Sequence, residues 1–288
     1  MEYTARAVDF YVRSGRPESA KALALSRATK GMPGANLLVA DLLADVMDDR
    51  ESAESFYRAA LAEGDVEAYN NFGCFLSDED RADEAEEVFL RGVAEGDALS
   101  MENLGKHYFD LGENGSAIPA LRQAVDAGRE NALAFLARAE ARAGCTEDAR
   151  RHAHEAVDRD VPSAHLALAE SLAAEPAEAD SVIDESYTRA LRSEDDGAPF
   201  SYARWLHDVG RLEEALALYR RAADEGELHA LLNMGLVLDL LGDSDEALAA
   251  YRRGAEAGDL ESAAELARAL EEAEREDRAD RPTGESEA

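Results

Sequence analysis

Cysteine is almost absent from this chain, since Cys74 and Cys145 are the only two in 288 residues. The disulfide frameworks that hold small secreted domains together need more cysteines at closer spacing. The opening residues MEYTARAVDFYVRSG carry acidic side chains early and contain no apolar core of the kind found in signal peptides. No apolar run approaches the length that spans a bilayer. These absences lead us to expect a soluble, cytoplasmic protein that does not associate with membranes.

Lysine is also rare, with only Lys21, Lys30 and Lys106 in the chain. The sequence has 63 acidic residues against 30 basic ones, and its formal net charge is −33. Clustered lysine and arginine are needed to bind phosphate groups, so we do not expect nucleic acid or anionic lipid as a partner. The acidic balance favours solubility and cationic partners. A proteome that is acidic throughout, as in salt adaptation, would explain the same charge without any specific function.

Familiar catalytic motifs are missing as well. The sequence has no P-loop, no dinucleotide-binding G-x-G-x-x-G, no G-x-S-x-G nucleophile elbow and no H-E-x-x-H zinc motif. His152 and His154 are two residues apart on a predicted helix, so they do not share a face. We therefore expect a protein that is not an enzyme, with no catalytic residue, no metal site and no cofactor.

The sequence does contain one phrase that recurs along its length. YRRAADEGE begins at Tyr219 and YRRGAEAGD begins at Tyr251. Related phrases give starting positions of 57, 89, 121, 153, 187, 219 and 251, with a step of 32 residues in every case but one, which is 34. Such a period indicates structural repeats that bury their apolar faces only by stacking on one another.

Each repeat contains two helical stretches joined by a polar turn. In one repeat the first helix is predicted over residues 66–76 and the second over residues 82–94, ending before Gly96. Alanine, leucine, glutamate and arginine dominate the composition, and no β-branched run of strand length is present. Small residues such as Gly73 recur in the first helix, and large ones such as Phe89 recur in the second. This alternation predicts close packing between the two helices.

The residues N-L-G-K-H-Y at 103–108, followed by A-I-P-A-L at 117–121, resemble the tetratricopeptide repeat. The ending A-A-x-x-G, as in RAADEGELHA, resembles the related SEL-type repeat. The resemblance covers about residues 34–259 and implies an all-α fold, a right-handed α-solenoid (superhelix) of stacked helix–turn–helix repeats. It also implies that the first helices line a concave groove and that the protein acts through protein–protein interaction.

The period divides the chain into an array with distinct ends. Residues 1–33 are predicted to be a degenerate N-terminal repeat, and residues 34–259 to be seven tetratricopeptide-like repeats. Residues 260–275 are predicted to form a C-terminal capping helix, followed by a disordered acidic tail over residues 276–288. Acidic and helix-breaking residues at 193–199 indicate a possible hinge, for which an ordinary longer loop is the alternative.

The sixth residue of each repeat is informative, because the resemblance places it on the concave face. Along the seven repeats this position holds Val39, Asn71, Asn103, Phe135, Ala167, Ser201 and Asn233. Helix propensity does not favour asparagine, whereas its amide both donates and accepts hydrogen bonds, as a bound peptide backbone requires. We therefore predict that the four polar members contact a bound peptide: Asn71, Asn103, Ser201 and Asn233.

The ninth residue of each repeat lies one helical turn further on the same face. It is basic in three repeats, as Lys106, Arg138 and Arg204. Together with Asn103 these cations suit a carboxylate from an acidic side chain or a C-terminus. They resemble the carboxylate-holding groove of chaperone-tail-binding members of the tetratricopeptide family. Alternatively, the asparagines bond between adjacent helices and the cations pair with local acids.

We expect a non-enzymatic scaffold or adaptor that binds an extended peptide segment of a protein partner in its concave groove. Two alternatives remain: a peptide-sensing regulatory protein that changes its superhelical pitch at the hinge, and a structural, self-assembling repeat protein. In each case the repeated phrase builds the architecture. Function then lies in the residues that differ between copies on the first helices.

Overall fold

The computed structural model describes residues 2–174 and 178–280. All regular secondary structure in these residues is α-helical. The helices are α1 (Glu2–Arg13), α2 (Pro17–Ala28), α3 (Ala35–Asp45), α4 (Arg50–Ala62), α5 (Glu67–Asp78), α6 (Ala82–Ala94), α7 (Ala98–Asp110), α8 (Asn114–Asp126), α9 (Ala132–Arg142), α10 (Thr146–Asp158), α11 (Ala164–Ala173), α12 (Asp180–Arg192), α13 (Ala198–Asp208), α14 (Leu212–Asp224), α15 (His229–Leu241), α16 (Ser244–Glu256) and α17 (Leu260–Asp280). The predicted all-α fold of stacked helical pairs is confirmed.

The chain divides into two compact units, Met1–Pro162 and Ser163–Ala288. In the first unit α1 to α10 form five consecutive pairs, and each pair contacts the next. In the second unit α11 to α16 form three pairs, and α17 packs on α15 and α16. The segment 193–199 lies inside the second unit, where it joins α12 to the first two residues of α13, and a hinge there stays a prediction.

The pair α5 and α6 shows how the repeated phrase makes a hairpin. α6 covers Ala82–Ala94, as predicted, whereas α5 covers Glu67–Asp78 and ends two residues beyond the predicted 66–76. Asp80 in the turn has a φ of 57°, and Gly96 after α6 has a φ of 84°. This left-handed backbone takes the chain out of the helix at each end.

Close contact within a pair depends on a small residue of the first helix. A Cβ atom on Gly73 would lie 2.3 Å from the ring of Phe89, and one on Gly235 would lie 2.3 Å from the ring of Tyr251. Nonbonded carbon atoms do not approach so closely, so glycine is required where the ring lies against the helix backbone. The predicted pairing of a small residue with a large one is therefore confirmed.

An ionic brace joins the second helix of one repeat to the second helix of the next. Arg81, just before α6, donates to Glu54 of α4 at 2.8 Å and to the two carboxylate oxygens of Glu84 at 2.7 Å each. Hydrogen bonds from Arg81 lower the pKa of Glu54 to about 2. The same arrangement recurs four repeats further along, where the residues are Asp184, Arg211 and Glu214.

The last helix is longer than predicted. α17 runs over Leu260–Asp280 and so includes the first five residues of the predicted tail at 276–288. The segment has no glycine or proline before Pro282, so no residue within it breaks the helix. Residues 281–288, the rest of that tail, lie outside the described residues. No helix in the described part of the chain has both the length and the apolar composition that a membrane span requires.

Candidate binding face on the first helices

The first helices of successive pairs contact one another and form a layer within each unit. In the first unit the layer consists of α3, α5, α7 and α9, and in the second of α11, α13 and α15. We call the surface that Asp41, Asn71, Asn103, Lys106 and Arg138 form on the first layer the first-helix face. Because each repeat contributes one helix, a single repeat position is presented several times along this face.

Three asparagines of α5 and α7 form a row of hydrogen-bonded amides. Nδ2 of Asn103 donates to Oδ1 of Asn70 at 2.6 Å, and Nδ2 of Asn70 donates to Oδ1 of Asn71 at 3.1 Å. Nδ2 of Asn71 lies 3.1 Å from each carboxylate oxygen of Asp41 on α3. Asp41 also accepts a hydrogen bond from the hydroxyl of Tyr57 at 2.9 Å. The amide row therefore links three successive first helices.

The structure brings the predicted Asn71 and Asn103 into one network, although they do not contact each other directly. Asn70, which the sequence analysis missed, connects them, and Asp41 ends the row. The signals for these two residues were the Asn-Asn doublet and an aspartate where other repeats have glycine or alanine. Hydrogen bonding between adjacent helices, one of the two expectations for the asparagines, is thus observed.

Beside the amide row lies a cleft of about 190 Å³ that is rich in carboxylates. Asp41, Asp45 and Asp78 line it, and Arg50 is the one cation among its described lining residues. We call it the acidic cleft. Burial raises the pKa of Asp41, the hydrogen bond from Asn71 opposes that rise, and the neighbouring charge of Asp45 adds to it. The ionised form of Asp41 is therefore poorly solvated.

The basic residues predicted on α7 and α9 lie over phenylalanine rings. Nζ of Lys106 is 5.0 Å from the centroid of the Phe135 ring. Cζ of Arg138 is 5.8 Å from the same centroid and 5.0 Å from that of Phe109. These distances are typical of cation–π contacts, which hold a cation in place without neutralising it. Arg138 is only 8% exposed, so its guanidinium belongs to the packed part of the face.

Lys106 is also ion-paired within the fold. Its Nζ lies 2.6 Å from Oε1 of Glu102, a carboxylate that is only 4% exposed and that also accepts from Arg129 at 2.6 Å. Burial raises the pKa of Glu102, but hydrogen bonds from Lys106 and Arg129 outweigh that effect and lower it. An ammonium group has three donors, so Lys106 can offer an incoming carboxylate only the donors that Glu102 leaves.

The three predicted site residues of the second unit do not form a comparable row. Oγ of Ser201 is buried and donates to Oε1 of Glu170 at 2.8 Å. Nδ2 of Asn233 donates to the backbone oxygen of His229 in its own helix at 2.8 Å. Arg204 is exposed and makes no ion pair with any residue that the structure describes. Each of the three side chains has separate surroundings.

Five repeats further along, the repeat positions that form the acidic cleft hold different residues. The three aspartates are replaced by Ala203, His207 and Leu240. Tyr57 corresponds to Tyr219, which is fully buried and whose hydroxyl has no hydrogen-bond partner among the described residues. Leu240 is 64% exposed. This copy of the positions thus keeps the helices but lacks the three aspartates.

A groove between second helices, by contrast, is present in both units with corresponding lining residues. One copy lies between α4 and α6 with a volume of about 280 Å³, and another lies between α14 and α16 with a volume of about 330 Å³. The nine lining residues of one correspond to the nine of the other, and the numbers of each pair differ by 162, as in Arg58 and Arg220. We call this the second-helix groove. Its recurrence makes it a product of the repeat itself.

Metal-binding chemistry is not indicated in the described part of the chain. There, no group of three or more histidine, cysteine, aspartate or glutamate side chains is placed to hold a metal ion. Cys74 and Cys145 are free thiols. Cys74 lines the acidic cleft and accepts a hydrogen bond from Nδ2 of Asn103 at 3.4 Å, whereas Cys145 is exposed.

Comparison with known proteins identifies the repeat. A model of the tetratricopeptide repeat matches residues 228–257, which contain α15 and α16. A search of curated proteins finds no significant match. Two similar solved structures are a tetratricopeptide repeat protein from Parabacteroides merdae and yeast Tom70. The first has a TM-score of 0.66 and 15% identity, covering 81% of this chain and 96% of that one. The second has a TM-score of 0.60 and 16% identity, covering 94% of this chain and 61% of that one.

A third similar structure is a monomeric mutant of IFIT1 with m7Gppp-AAAA, which has a TM-score of 0.52 and 19% identity. The match covers 88% of this chain and 62% of that one. Identities this low show the fold alone. Residues 228–257 nevertheless carry the repeat's own sequence signature. The resemblance is therefore confirmed: α15 and α16 are a tetratricopeptide repeat, and the described chain has the fold of proteins built from such repeats.

Proposed function

We propose that the chain is a protein-interaction scaffold that holds an extended segment of a partner along the first-helix face of its first unit. The observation that carries the proposal is the row of amides formed by Asn70, Asn71 and Asn103 across α5 and α7. An extended peptide presents alternating N–H and C=O groups, and a side-chain amide can pair with either.

The row is ordered before any partner arrives, which favours binding. Its members already hold one another, so less side-chain freedom is lost when a segment binds. Oδ1 of Asn103 accepts no hydrogen bond from the described residues, and each amide oxygen has two lone pairs. The half-buried position of Asn71 and Asn103 leaves them within reach of a ligand. We assign these two residues the contact with the segment's backbone.

Lys106 and Arg138 form the next part of the proposed site. Both lie over the Phe135 ring, which keeps them on the first-helix face. An acidic side chain or a C-terminal carboxylate of the bound segment would pair with the donors that Lys106 keeps, while the mostly buried Arg138 adds positive charge behind it. Ser201, Arg204 and Asn233 are not included, because their surroundings in the second unit offer no connected row.

Nucleic acid is not proposed as a ligand, although the fold of this chain is similar to that of IFIT1 with m7Gppp-AAAA. The net charge of −33 and the aspartates of the acidic cleft repel phosphate. The described residues include no catalytic constellation beside the amide row, and the proposed function requires none. The scaffold acts by holding its partner.

The test is selection from a library of displayed random 12-residue peptides, repeated with the variant Asn71→Ala/Asn103→Ala. The matched control is Asn131→Ala, which replaces an exposed asparagine outside the face. We expect peptides that bind the wild type and the control but lose about tenfold in affinity on the double variant. Circular dichroism establishes that the variant is folded. Peptides that bind the wild type and the folded double variant equally well would contradict the proposal.

A further inference from the structure

An apolar pocket lies at the N-terminal end of the first-helix face. Its volume is about 170 Å³, and it lies where the loop before α3 meets α3 itself. Its apolar lining includes Met32, Pro33, Leu37 and Leu38. We call it the apolar socket. A pocket of this size accommodates a side chain rather than a larger ligand.

The apolar socket and the acidic cleft share a wall. Asp41 lines both of them, so a chain lying along α3 would contact one after the other. Glu67, the first residue of α5, adds a second carboxylate to the socket. The two cavities therefore lie side by side along α3, one apolar and one acidic, and we treat them together as one site.

Negatively charged side chains outnumber positively charged ones around this site. Asp41, Asp45, Asp78 and Glu67 contribute carboxylates, and the two lining cations are Arg27 and Arg50. Both arginines have partners within the fold. Arg27 donates to Sδ of Met32 at 3.4 Å, and Nε of Arg50 lies 3.4 Å from Asp48 and from Glu79. The site is therefore complementary to a positive charge.

We propose that the apolar socket takes one apolar side chain and the acidic cleft takes a neighbouring arginine or lysine of the same extended segment. This inference rests on the proposed function and names the chemistry of the partner at that site. An apolar wall beside the carboxylates excludes water and strengthens their attraction for a cation. Burial already deprives the Asp41 carboxylate of solvent, and an arriving cation replaces that lost stabilisation.

The second unit provides an internal argument for this assignment. If the acidic cleft were only a product of the repeat, it would recur at the same positions five repeats on, as the second-helix groove does. It does not recur, because Ala203, His207 and Leu240 stand there in place of the three aspartates. Single aspartates do recur at two of these repeat positions, as Asp110, Asp208 and Asp239, but the combination of three on α3 and α5 is not produced by the repeat alone.

The experiment uses synthetic probes and the full-length chain. Fluorescein-labelled peptides, acetylated and amidated at their ends, carry one leucine and one arginine separated by one, two or three serines. Matched peptides replace the arginine by glutamine or glutamate, or the leucine by serine. Fluorescence anisotropy at low salt is expected to show binding of a leucine–arginine probe at least about tenfold tighter than its glutamate counterpart. Raising the salt to about 0.5 M weakens the binding.

The matched protein variants are Asp45→Asn/Asp78→Asn and Asp83→Asn/Asp126→Asn. Each removes two exposed carboxylates, but only the first pair lies in the cleft. We expect about a tenfold loss of affinity in the first and no change in the second. A third variant, Leu38→Ser, tests the socket and is expected to weaken the leucine–arginine probe but not the leucine-to-serine peptide.

The outcomes separate this inference from the proposed function. Equal affinity for the arginine and glutamate probes, or equal loss in the two carboxylate variants, would overturn the inference. If the displayed library still yields peptides that depend on Asn71 and Asn103, the scaffold stands and only the chemistry of its partner is wrong. If neither the library nor the probes yield binding on this face, both proposals fall.

Discussion

The acidic cleft of the first unit and the equivalent place in the second unit share the same helices but differ in polarity. In the first, the hydroxyl of Tyr57 donates to Asp41, which also holds the amide row. In the second, Tyr219 occupies the same repeat position, but Ala203 replaces the acceptor and the hydroxyl lacks a described partner. The repeat thus determines helix packing, while single positions within it determine which face is polar.

The second-helix groove supports this conclusion because it does recur. Its lining has the same repeat positions in both units, including an arginine and a glutamate side by side, as in Arg220 and Glu246 at 2.8 Å. A feature that recurs at the same repeat positions in both units carries little information about a specific partner. The acidic cleft, whose three aspartates are absent from the equivalent place in the second unit, carries more.

The largest expected effect on stability concerns the close packing of glycine against an aromatic ring, which the two regions share. Gly73→Ala and Gly235→Ala each place a Cβ atom 2.3 Å from an aromatic ring of the paired helix. We expect each to lower the free energy of unfolding by roughly 2–3 kcal/mol. Gly115→Ala is the control, because it lies in α8 with no atom within 4 Å of a Cβ. Chemical denaturation followed by circular dichroism measures all three, and a cost in the control as large as in the others would contradict the packing argument.

The next largest effect on stability is expected to differ between the two regions, at the tyrosine of the second helix. Tyr57→Phe removes a donor from the half-buried Asp41 and should cost about 1–2 kcal/mol. Tyr219→Phe removes an unpaired buried hydroxyl and should be neutral or stabilising by up to about 1 kcal/mol. Trp205 is the chain's one tryptophan and lies in the second unit, so its fluorescence reports on Tyr219→Phe directly. Circular dichroism follows Tyr57→Phe. Equal destabilisation by the two substitutions would remove the distinction between the regions.

A smaller effect concerns pH and the ionic brace. The pKa of Glu54 falls from an ordinary 4.5 to about 2 because of Arg81, so its contribution is complete above pH 4.5 and is lost as the pH falls towards 2. We expect Glu54→Gln to lower stability by about 1 kcal/mol near neutral pH and to have less effect at acidic pH. Denaturation midpoints at several pH values measure this. If the stability difference between Glu54→Gln and the wild type grows as the pH falls, the proposed ionic contribution of Glu54 is contradicted.

The smallest effect is expected at Asn233. Its amide bonds only to the backbone oxygen of His229, so Asn233→Ala should change stability by no more than about 0.5 kcal/mol. Asn71→Ala, at the same repeat position, removes the hydrogen bonds to Asp41 and should cost about 1 kcal/mol. Thermal unfolding of the two variants gives the comparison. A larger loss of stability for Asn233→Ala than for Asn71→Ala would contradict the assignment of the hydrogen-bonded amide row to the first unit.

The sequence predicts most of the fold because the repeated phrase is reinforced in every copy. The bounds of α6 follow from its apolar period and from Gly96, and the Gly73–Phe89 contact follows from their recurring spacing. The end of α17 was predicted too early, because a charged segment without glycine or proline can still be helical up to Asp280. Charge alone does not end a helix.

The candidate site was predicted less completely, because its contacts cross from one repeat to another. Reading the sixth and ninth positions located Asn71 and Asn103 but could not reveal Asn70 or Asp41, which stand at other positions. The pairing of Lys106 with Glu102 follows an i,i+4 spacing and could have been read from the sequence. The apolar socket depends on the loop before α3, whose shape has no signature in the repeat.

The two cysteines allow a direct measurement of whether a partner binds at the acidic cleft of the first unit. Cys74 lies in the cleft wall and Cys145 lies outside it, so iodoacetamide labelling resolved by mass spectrometry compares both sites in one sample. With a saturating leucine–arginine peptide, or with a peptide selected from the displayed library, we expect labelling of Cys74 to slow while that of Cys145 stays unchanged. Unchanged labelling of Cys74 in the presence of a peptide known to be bound would rule out binding at the acidic cleft.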